Sequence, residues 1–290
     1  MRLGEVRIAE DKDFEELVAL ADQHDGWKVE FSNKSLNVWS RDTNSDTSKM
    51  VKVRTTLLDV DAATAYDVLH DEEYWKRWDK SRLESHSAGC LNPNNEICYY
   101  AVSCVPPLRN RDMVVLRSWL DTGREYYILS HSVSHQSYPP RQGFVRALSH
   151  LAGKSAHQSF PPRQGFVRAL SHLAGFVVRP LTPQGCQVHY VTHMSIGGQL
   201  PAWLVNKATQ IMAPKMLKRF HKACLKYPAW KKRHSPHFKP WLYPEQMPSL
   251  RLDIAMCNKN PQDEQQKTED ESDIKECDFD SAAILNDDDD

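Results

Sequence analysis

The stretch PAWLVNKATQIMAPKMLKRFHKACLKY, residues 201–227, decides the fold. Apolar residues recur through it at steps of three and four, the spacing that places side chains on one face of an α-helix. Basic residues recur in the same way on another face. The stretch therefore predicts one amphipathic helix with an apolar stripe and a basic face. The stripe consists of Ala208, Ile211, Met212, Met216, Phe220, Cys224 and Tyr227, and the basic face of Lys215, Lys218, Arg219, Lys222 and Lys226.

Two prolines mark this predicted helix. Pro201 lies at its first turn, where a missing N–H is tolerated. Pro214 lies inside it and cannot donate to the Gln210 carbonyl, which predicts a kink that can act as a hinge. At ~1.5 Å rise per residue the helix is about 39 Å long, enough to cross a small domain. Two interpretations follow: a core helix with a solvated basic back, or a lid over an apolar cavity that touches an anionic membrane.

The net charge of the chain, −1 at pH 7, conceals an uneven distribution. Residues 201–244 contain ten Lys/Arg and no Asp/Glu, whereas residues 245–290 contain 4 Lys/Arg and 15 Asp/Glu, a net charge of −11. Residues 1–244 consequently carry +10. Positive charge concentrated on and after a long helix indicates an anionic partner, either a membrane surface or the acidic end of the chain itself.

The composition is that of a globular protein, with 40% hydrophobic and 26% charged residues among 290. No apolar run reaches the roughly 18 residues that a transmembrane helix needs. Seven cysteines, an odd number without a C-x-x-C pair, argue against a disulfide framework and favour reduced thiols. The N-terminal segment MRLGEVRIAEDKDF has no apolar signal core, so we expect a cytoplasmic protein.

Amphipathic and alternating segments predict the elements that precede residue 201. Short helices are expected at 13–23 and at 62–70 behind the N-cap residue Asp61, and residues 72–79 are expected to form a second short helix or a turn. Strands are expected at 27–32, 36–42, 50–60, 83–89, 96–103, 112–120, 125–133, 176–181 and 186–196. The fold class is therefore α+β: one domain in which a twisted antiparallel sheet of about nine strands wraps around the long helix.

A tandem repeat interrupts the series of strands. HQSYPPRQGFVRALSHLAG (135–153) recurs as HQSFPPRQGFVRALSHLAG (157–175), with Phe160 in place of Tyr138. Two copies are too few for a solenoid. We expect one copy in the sheet and the other extruded as an insertion, because ~22 extra residues in a loop cost little entropy. The second copy is favoured for the sheet, since it runs directly into FVVRPL (176–181).

The two ends of the chain are expected to lie outside this domain. Residues 1–12 are interpreted as an N-terminal extension. Residues 247–290 are polar, acidic and poor in aromatic residues, which predicts a disordered tail. Within that tail, Thr268 is followed by three acidic residues and is a candidate phosphorylation site for an acidophilic kinase.

The chain lacks the sequence signatures of the common catalytic sites: a phosphate-binding glycine loop, H-E-x-x-H and G-x-S-x-G. His70, Asp71 and Glu73 are interpreted as a helix end with solvated charges. Cys98 and Cys104, on or beside a predicted strand, are interpreted as small packing residues rather than nucleophiles. We therefore expect no catalytic residue.

Other binding functions stay open at this point. His189 and His193 share one face of a strand, but no third ligand accompanies them, so we expect no metal site. The basic face of the long helix has the composition to contact nucleic-acid phosphates or to act as a calmodulin-type target. Its broad apolar stripe argues against a nucleic-acid reader, because the sheet needs a helix to cover it.

Three stretches connect the chain to a known family. YDVLHDEEYWKRWD (66–79), NRDMVVLR (110–117) and LPAWLVNKATQIMAPKMLKRFHKACLKYPAWKKRHSPHFKPWLYPEQ (200–246) resemble the START lipid-transfer domains. The resemblance covers about residues 13–246 and implies the helix-grip fold, a curved sheet gripping the long helix over a tunnel for one lipid. It also implies a bound phospholipid, with phosphatidylcholine and phosphatidylethanolamine as the expected ligands.

The resemblance assigns lipid-binding positions residue by residue. In a phosphatidylcholine-binding member, an Arg-x-x-x-Asp pair lies over the tunnel and its arginine meets the lipid phosphate. Here Asp79 matches the aspartate, but Trp75 stands at the arginine position, which leaves Lys76 or Arg77 as candidate replacements. An aspartate buried without a cation would be unfavourable. The positions that contact choline fall on Tyr100, Met113 and His172.

These features together predict a non-catalytic, cytoplasmic lipid carrier without a cofactor. It is expected to bind one phospholipid and to exchange it at an anionic membrane, which the basic face contacts while the long helix opens about Pro214. A monomer without nucleic-acid partners is expected. The alternatives are a helix-grip enzyme of the hydrolase or thioesterase type, and a protein-interaction module built on the basic helix.

Overall fold

The computed structural model describes residues 3–43, 48–104, 110–133, 166–168, 170–195 and 213–257. Its helices are α1 (Asp11–Asp22), α2 (Ala62–His70), α3 (Glu72–Trp78), α4 (Ala213–Lys231) and α5 (Ile254–Cys257). Its strands are β1 (Lys28–Ser32), β2 (Leu36–Asp42), β3 (Ser48–Leu57), β4 (Arg82–Asn92), β5 (Asn95–Val102), β6 (Asn110–Asp121), β7 (Tyr126–Ser132), β8 (Phe166–Arg168), β9 (Leu170–Thr182) and β10 (Gly185–Ser195). The helices and strands predicted before residue 201 are all present, with ends that differ by a few residues.

The strands form one sheet in the order β1-β2-β3-β10-β9-β7-β6-β5-β4, and neighbours along this path are antiparallel. The short strand β8, which the sequence did not predict, pairs with β6 in parallel. Alternate side chains on a strand point to opposite faces, so the sheet presents two distinct surfaces. The α+β class and the antiparallel sheet of nine strands are confirmed.

The inner face of the sheet holds α2 and α4. Tyr66 of α2 and Phe220 of α4 belong to one buried cluster with Trp119, Ile128 and Val188, which come from three strands of the sheet. The apolar stripe of the long helix therefore packs on the sheet, as its spacing predicts. This is the arrangement in which a curved sheet grips a helix.

Side-chain caps begin the two short helices next to α4. Asp61 accepts a hydrogen bond from the Thr64 N–H at 2.8 Å, which confirms the predicted cap of α2. Asp71 accepts one from the Tyr74 N–H at 3.2 Å and begins α3. These caps satisfy backbone donors that have no partner within the helix.

The outer face of the sheet is covered by α1. Phe14 and Leu17 of this helix pack with Leu129 and Val177 of the sheet. At Gly175 the two layers approach so closely that a Cβ would lie 2.7 Å from the Leu17 side chain, which explains why only glycine fits there. The sheet is thus a layer between α1 and the pair α2–α4.

The long helix differs from its prediction in two respects. It does not end at Tyr227 but continues through Pro228 to Lys231, because Pro228 is exposed while Tyr227 and Trp230 are anchored in the core. Met216 is 41% exposed, since Leu217 instead packs toward the sheet at this level of the helix. The predicted residues 201–212 lie outside the described part of the chain.

The second copy of the repeat contributes strands to the sheet. β8 and the first residues of β9 belong to residues 157–175, and β9 lies between β10 and β7. The described residues of the second copy therefore lie in the sheet. The first copy, residues 135–153, lies outside the described residues, so its extrusion stays a prediction.

The folded part of the chain extends past the predicted boundary at residue 246. The Cys90 N–H donates to the Leu250 carbonyl at 2.8 Å and the Leu252 N–H to the Cys90 carbonyl at 2.7 Å, so this segment pairs with the edge strand β4. Gly89, with φ +141°, allows the approach, because a Cβ there would lie 2.6 Å from Leu252. The predicted disordered tail therefore begins too early at 247.

Apolar contacts fix this C-terminal segment in place. Leu252, Ile254 and Cys257 pack against a buried cluster on the sheet. These contacts were not foreseen because the segment is short and lacks a periodic apolar pattern. Among the helices that the structure describes, none has the length and apolar character to cross a bilayer.

Candidate functional site

An ion pair and two aromatic rings meet where α3 ends and β4 begins. Arg82 Nε donates to Asp79 Oδ2 at 3.2 Å. The guanidinium carbon of Arg82 lies 3.9 Å from the Trp75 ring centroid and 4.6 Å from that of Tyr100. Cations are attracted to the faces of aromatic rings at these distances. The fold thus combines three of the predicted lipid-binding residues, Trp75, Asp79 and Tyr100, around a cation.

The cation at this site is neither of the predicted ones. Lys76 and Arg77 are exposed, and the guanidinium carbon of Arg77 lies 5.8 Å from the Trp230 ring. Arg82 pairs with Asp79 instead, because a residue three positions after Asp79 begins the strand that turns back under α3. The spacing of opposite charges in Asp79-x-x-Arg82 could have predicted this ion pair. The Arg-x-x-x-Asp motif of the family instead directs attention to residues before Asp79.

The position of Trp75 is fixed by a buried hydrogen bond. Its Nε1 donates to the Val68 carbonyl at 3.1 Å, which ties α3 to α2. A second arginine, Arg117 of β6, has its guanidinium carbon 5.3 Å from the same ring and donates to the Leu69 carbonyl at 2.9 Å. The indole at the family's arginine position is therefore approached by two guanidinium groups.

Tyr100 and Tyr190 both line the inner face, but they belong to strands that lie far apart in the sheet, β5 and β10. Both retain accessible surface although burial raises their phenol pKa values, as expected for side chains on the wall of an internal space. Four strands separate β4 from β10 in the sheet. Met113, half-buried, is the cross-strand neighbour of Tyr100.

His172, the remaining predicted lipid contact, lies elsewhere. It borders a cavity of about 290 Å³ on the outer face, between α1 and the sheet. Its Nε2 lies 2.8 Å from Ser195 Oγ, and its ring stacks on His193 with centroids 4.4 Å apart. Burial lowers the pKa of both histidines. The structure therefore does not bring His172 together with Trp75 and Tyr100.

A second cavity, of about 160 Å³, lies beside α3 on the inner face. Glu72, Glu96 and Arg117 are among its lining residues. Burial, followed by the proximity of Glu96, raises the pKa of Glu72. His70 and Asp71 border the same cavity and are 3% and 4% exposed, so their interpretation as solvated charges was wrong. Sequence spacing gave no sign of this cluster.

Two ion pairs fasten the end of α4 to α2 and α3. Lys231 Nζ donates to Asp71 Oδ2 at 2.7 Å, and the Tyr227 hydroxyl donates to the same oxygen at 3.0 Å. After the helix, Lys239 Nζ donates to Asp67 Oδ2 at 2.6 Å. Asp71 and Lys231 are both buried. The C-terminal end of the long helix is consequently anchored.

The basic face lies on the surface. Lys215, Lys218, Arg219, Lys222 and Lys226 are all exposed, and none forms an ion pair with an acidic residue in the described part of the chain. Pro214 is the second residue of α4 as described, so a kink at this proline is not tested. Thr268 lies outside the described residues.

The fold is that of a START domain. A family model described as "START domain" matches residues 7–155 and 155–231. The chain belongs to the START-domain family, as its sequence motifs predicted.

Two relatives and one solved structure define this position more closely. START domain-containing protein 10 of Homo sapiens is 39% identical over 250 residues, which cover 85% of this chain and 78% of that protein. Phosphatidylcholine transfer protein of Homo sapiens is 26% identical over 181 residues, covering 61% and 73% of the two chains. The crystal structure of human STARD10 matches with a TM-score of 0.74 and 38% identity over 87% of this chain and 94% of that one.

Proposed function

We propose that this protein is a non-catalytic carrier of one phospholipid, with phosphatidylcholine or phosphatidylethanolamine as the expected ligand. The observation that supports this most directly is Arg82, a half-buried cation between Trp75 and Tyr100 on the inner face. Its Nη1 is enclosed and has no hydrogen-bond acceptor among the described residues. A buried guanidinium N–H without a partner is unfavourable, and a phosphate oxygen would satisfy it.

The family resemblance and this geometry support the same headgroup position. The Arg-x-x-x-Asp pair of the phosphatidylcholine-binding member becomes Asp79-x-x-Arg82 here, with the cation on the strand side of the aspartate. Trp75 and Tyr100 then flank the phosphate site through their contact with Arg82. The names of the relatives, one of which is a phosphatidylcholine transfer protein, agree with this assignment.

Physical chemistry favours a carrier over a catalyst. Two acyl chains of about 30 methylenes, at ~0.8 kcal/mol each, would cost about 24 kcal/mol to expose to water. An apolar cavity replaces the bilayer with a similar environment, so transfer needs a gate and no bond has to be broken. We propose that α4 is part of this gate. Because its C-terminal end is anchored by Asp71, the movement belongs to the part near Pro214.

The exposed basic face of α4 is the proposed contact with the membrane. Five cations without ion pairs to the described acidic residues would be attracted to an anionic surface at ~1 kcal/mol each. A cytoplasmic protein that touches membranes peripherally would use this face while the neighbouring part of the helix opens.

The test of the carrier function is native mass spectrometry of the purified full-length protein. One bound phospholipid per chain, identified after extraction, is the expected result. A protein that purifies without lipid, takes none from vesicles and hydrolyses ester or thioester substrates would instead be the helix-grip enzyme.

The membrane contact is tested separately by charge reversal. Changing Lys218, Arg219 and Lys222 to glutamate should slow phospholipid transfer between anionic vesicles by at least about tenfold, because up to six units of charge are reversed at the contact. The matched control changes Lys34, Lys80 and Arg124, which are exposed on other parts of the domain. Equal transfer rates for the two variants would contradict docking through α4.

A further inference from the structure

Three potential metal ligands meet beside α3, and two of them, Glu72 and Glu96, line the 160 Å³ cavity. Glu72 is the first residue of α3, and Glu96 and Cys98 lie two residues apart on β5. A carboxylate oxygen from each glutamate and the sulfur of Cys98 all lie within 4.8 Å of one another. No spacing in the sequence links these residues; the crossing of α3 over β5 brings them together.

The charges of this group are not balanced by ion pairs. Glu96 is 7% exposed and accepts one hydrogen bond, from Ser249 Oγ at 2.9 Å. Neither glutamate has a cationic nitrogen within 4.0 Å in the described part of the chain. Arg117 is the cross-strand neighbour of Glu96, but its Nη2 is directed to the Leu69 carbonyl. Two adjacent carboxylates in a buried site require a cation or a shared proton.

A histidine on the wall of the same cavity gives an independent indication of a ligand. His70 is 3% exposed, and its Nε2 is buried without a hydrogen-bond partner among the described residues. It lines the 160 Å³ cavity together with Glu72 and Glu96. A buried imidazole nitrogen normally has a partner, and a water molecule bound to a metal ion in this cavity would supply one.

We propose that a zinc-type divalent ion binds beside this cavity, with Glu72, Glu96 and Cys98 as its three protein ligands. Carboxylate and thiolate are ligand types that zinc takes in proteins, and three protein ligands leave one tetrahedral position for a water molecule. Binding would release the thiol proton of Cys98 to solvent. Because the ion would join α3 to β5, it would stabilise the wall that also carries Trp75. This site is additional to the proposed phospholipid site.

Cobalt is the probe that tests this proposal, because a thiolate bound to Co²⁺ gives a charge-transfer band in the near ultraviolet. Chelator-treated full-length protein is titrated with Co²⁺ and then with Zn²⁺. One equivalent of Co²⁺ should produce the band and Zn²⁺ should abolish it. Cys98→Ser should remove the band, and Glu96→Gln should weaken Co²⁺ binding at least about tenfold. Cys257→Ser and Glu73→Gln are matched controls outside the ligand set.

A second measurement keeps the test decisive if a variant folds poorly. Zn²⁺ should raise the Tm of the unaltered protein, since it binds the folded state, and Glu72→Gln should reduce this rise. Circular dichroism verifies that each variant is folded. The absence of the band and of the Tm shift in the unaltered protein would overturn the proposal and indicate a proton shared by the two glutamates. A band that survives Cys98→Ser would overturn it as well.

Discussion

The carboxylate of Asp79 lies 3.2 Å from the guanidinium of Arg82, so charge balance at the end of α3 comes from a residue three positions later rather than four positions earlier. Trp75 therefore occupies the position that holds arginine in the Arg-x-x-x-Asp motif of the family, and its ring stacks against the Arg82 guanidinium. A headgroup phosphate would therefore contact the Arg82 guanidinium, which is held by the Asp79 carboxylate and by the Trp75 ring. Such a cation loses little freedom when a ligand binds.

Arg82 is expected to determine phospholipid affinity. Arg82→Gln removes the charge-assisted hydrogen bond to phosphate, worth about 1.5–3 kcal/mol, so lipid binding should weaken roughly ten- to hundredfold. Fluorescent phosphatidylcholine binding by the full-length variant measures the change. Arg77→Gln, which removes an exposed arginine from the same helix–strand region, should leave binding nearly unchanged. If both variants bind equally well, the phosphate is held elsewhere.

A pH-dependent loss of stability is expected from His189, which is 3% exposed. Burial, followed by the charge of Arg179, lowers the pKa of His189 from 6.5 to about 4. The unfolded chain therefore binds the proton first as the pH falls. Stability is fully present above pH 6.5 and declines as the pH approaches 4, by roughly 2–3 kcal/mol for this residue.

Urea unfolding at pH 7.5 and pH 4.5 measures this contribution. In His189→Gln, which retains a polar group near Gln187, the difference in unfolding free energy between the two pH values should shrink by about that amount. The control is His237→Gln, because His237 is exposed. An unchanged pH dependence in the His189 variant would show that this histidine takes up its proton at the same pH in the folded and the unfolded chain.

For single residues, the sequence predicted the place of a residue in its helix or strand better than its contacts with other elements. Asp61 and Tyr66 were placed correctly, because capping and helical periodicity depend on neighbours in the chain. Arg82, Arg117 and Glu96 were missed as a group, because their proximity depends on how α3 crosses the sheet. His172 lies on the outer face for a similar reason, because the pairing of β9 with β10 determines the face to which each β9 side chain points.

Among the elements, α4 has one anchored end and one end without a comparable anchor in the described residues. Lys231 and Tyr227 both donate to Asp71, while the exposed basic face occupies the other turns of the helix. The stripe that the sequence displayed over residues 201–227 could not reveal this asymmetry. It depends on a buried lysine four positions beyond the predicted end.

The Lys231–Asp71 pair is expected to hold the helix to the domain. Lys231→Met leaves a buried carboxylate without its cation, which should lower the unfolding free energy by about 3–5 kcal/mol. Adding Asp71→Asn removes the unpaired charge, so the double variant should recover part of this loss. Urea denaturation with an unchanged m-value measures both. A single variant as stable as the unaltered protein would mean that Asp71 is already neutral in the folded state.

For the molecule as a whole, the division of charge matters more than its sum. The residues beyond Cys257 contain 3 Lys/Arg and 13 Asp/Glu, whereas the remainder of the chain carries a net charge of +9. The folded boundary moves from 246 to 257 because residues 250–252 pair with β4, which no composition argument could predict. Any test of the acidic tail must therefore leave residues up to 257 in place.

Removing residues 258–290 is expected to increase binding to anionic vesicles. The tail's negative charge would compete with the membrane for the basic face of α4, and truncation removes that competitor. The increase should be large at 0.01 M salt, where charges act over ~30 Å, and should nearly vanish at 1 M, where they act over ~3 Å. Vesicle co-sedimentation across this salt range measures it, with neutral vesicles as the control. Truncated and full-length chains that bind anionic vesicles equally at low salt would show that the tail does not mask the basic face.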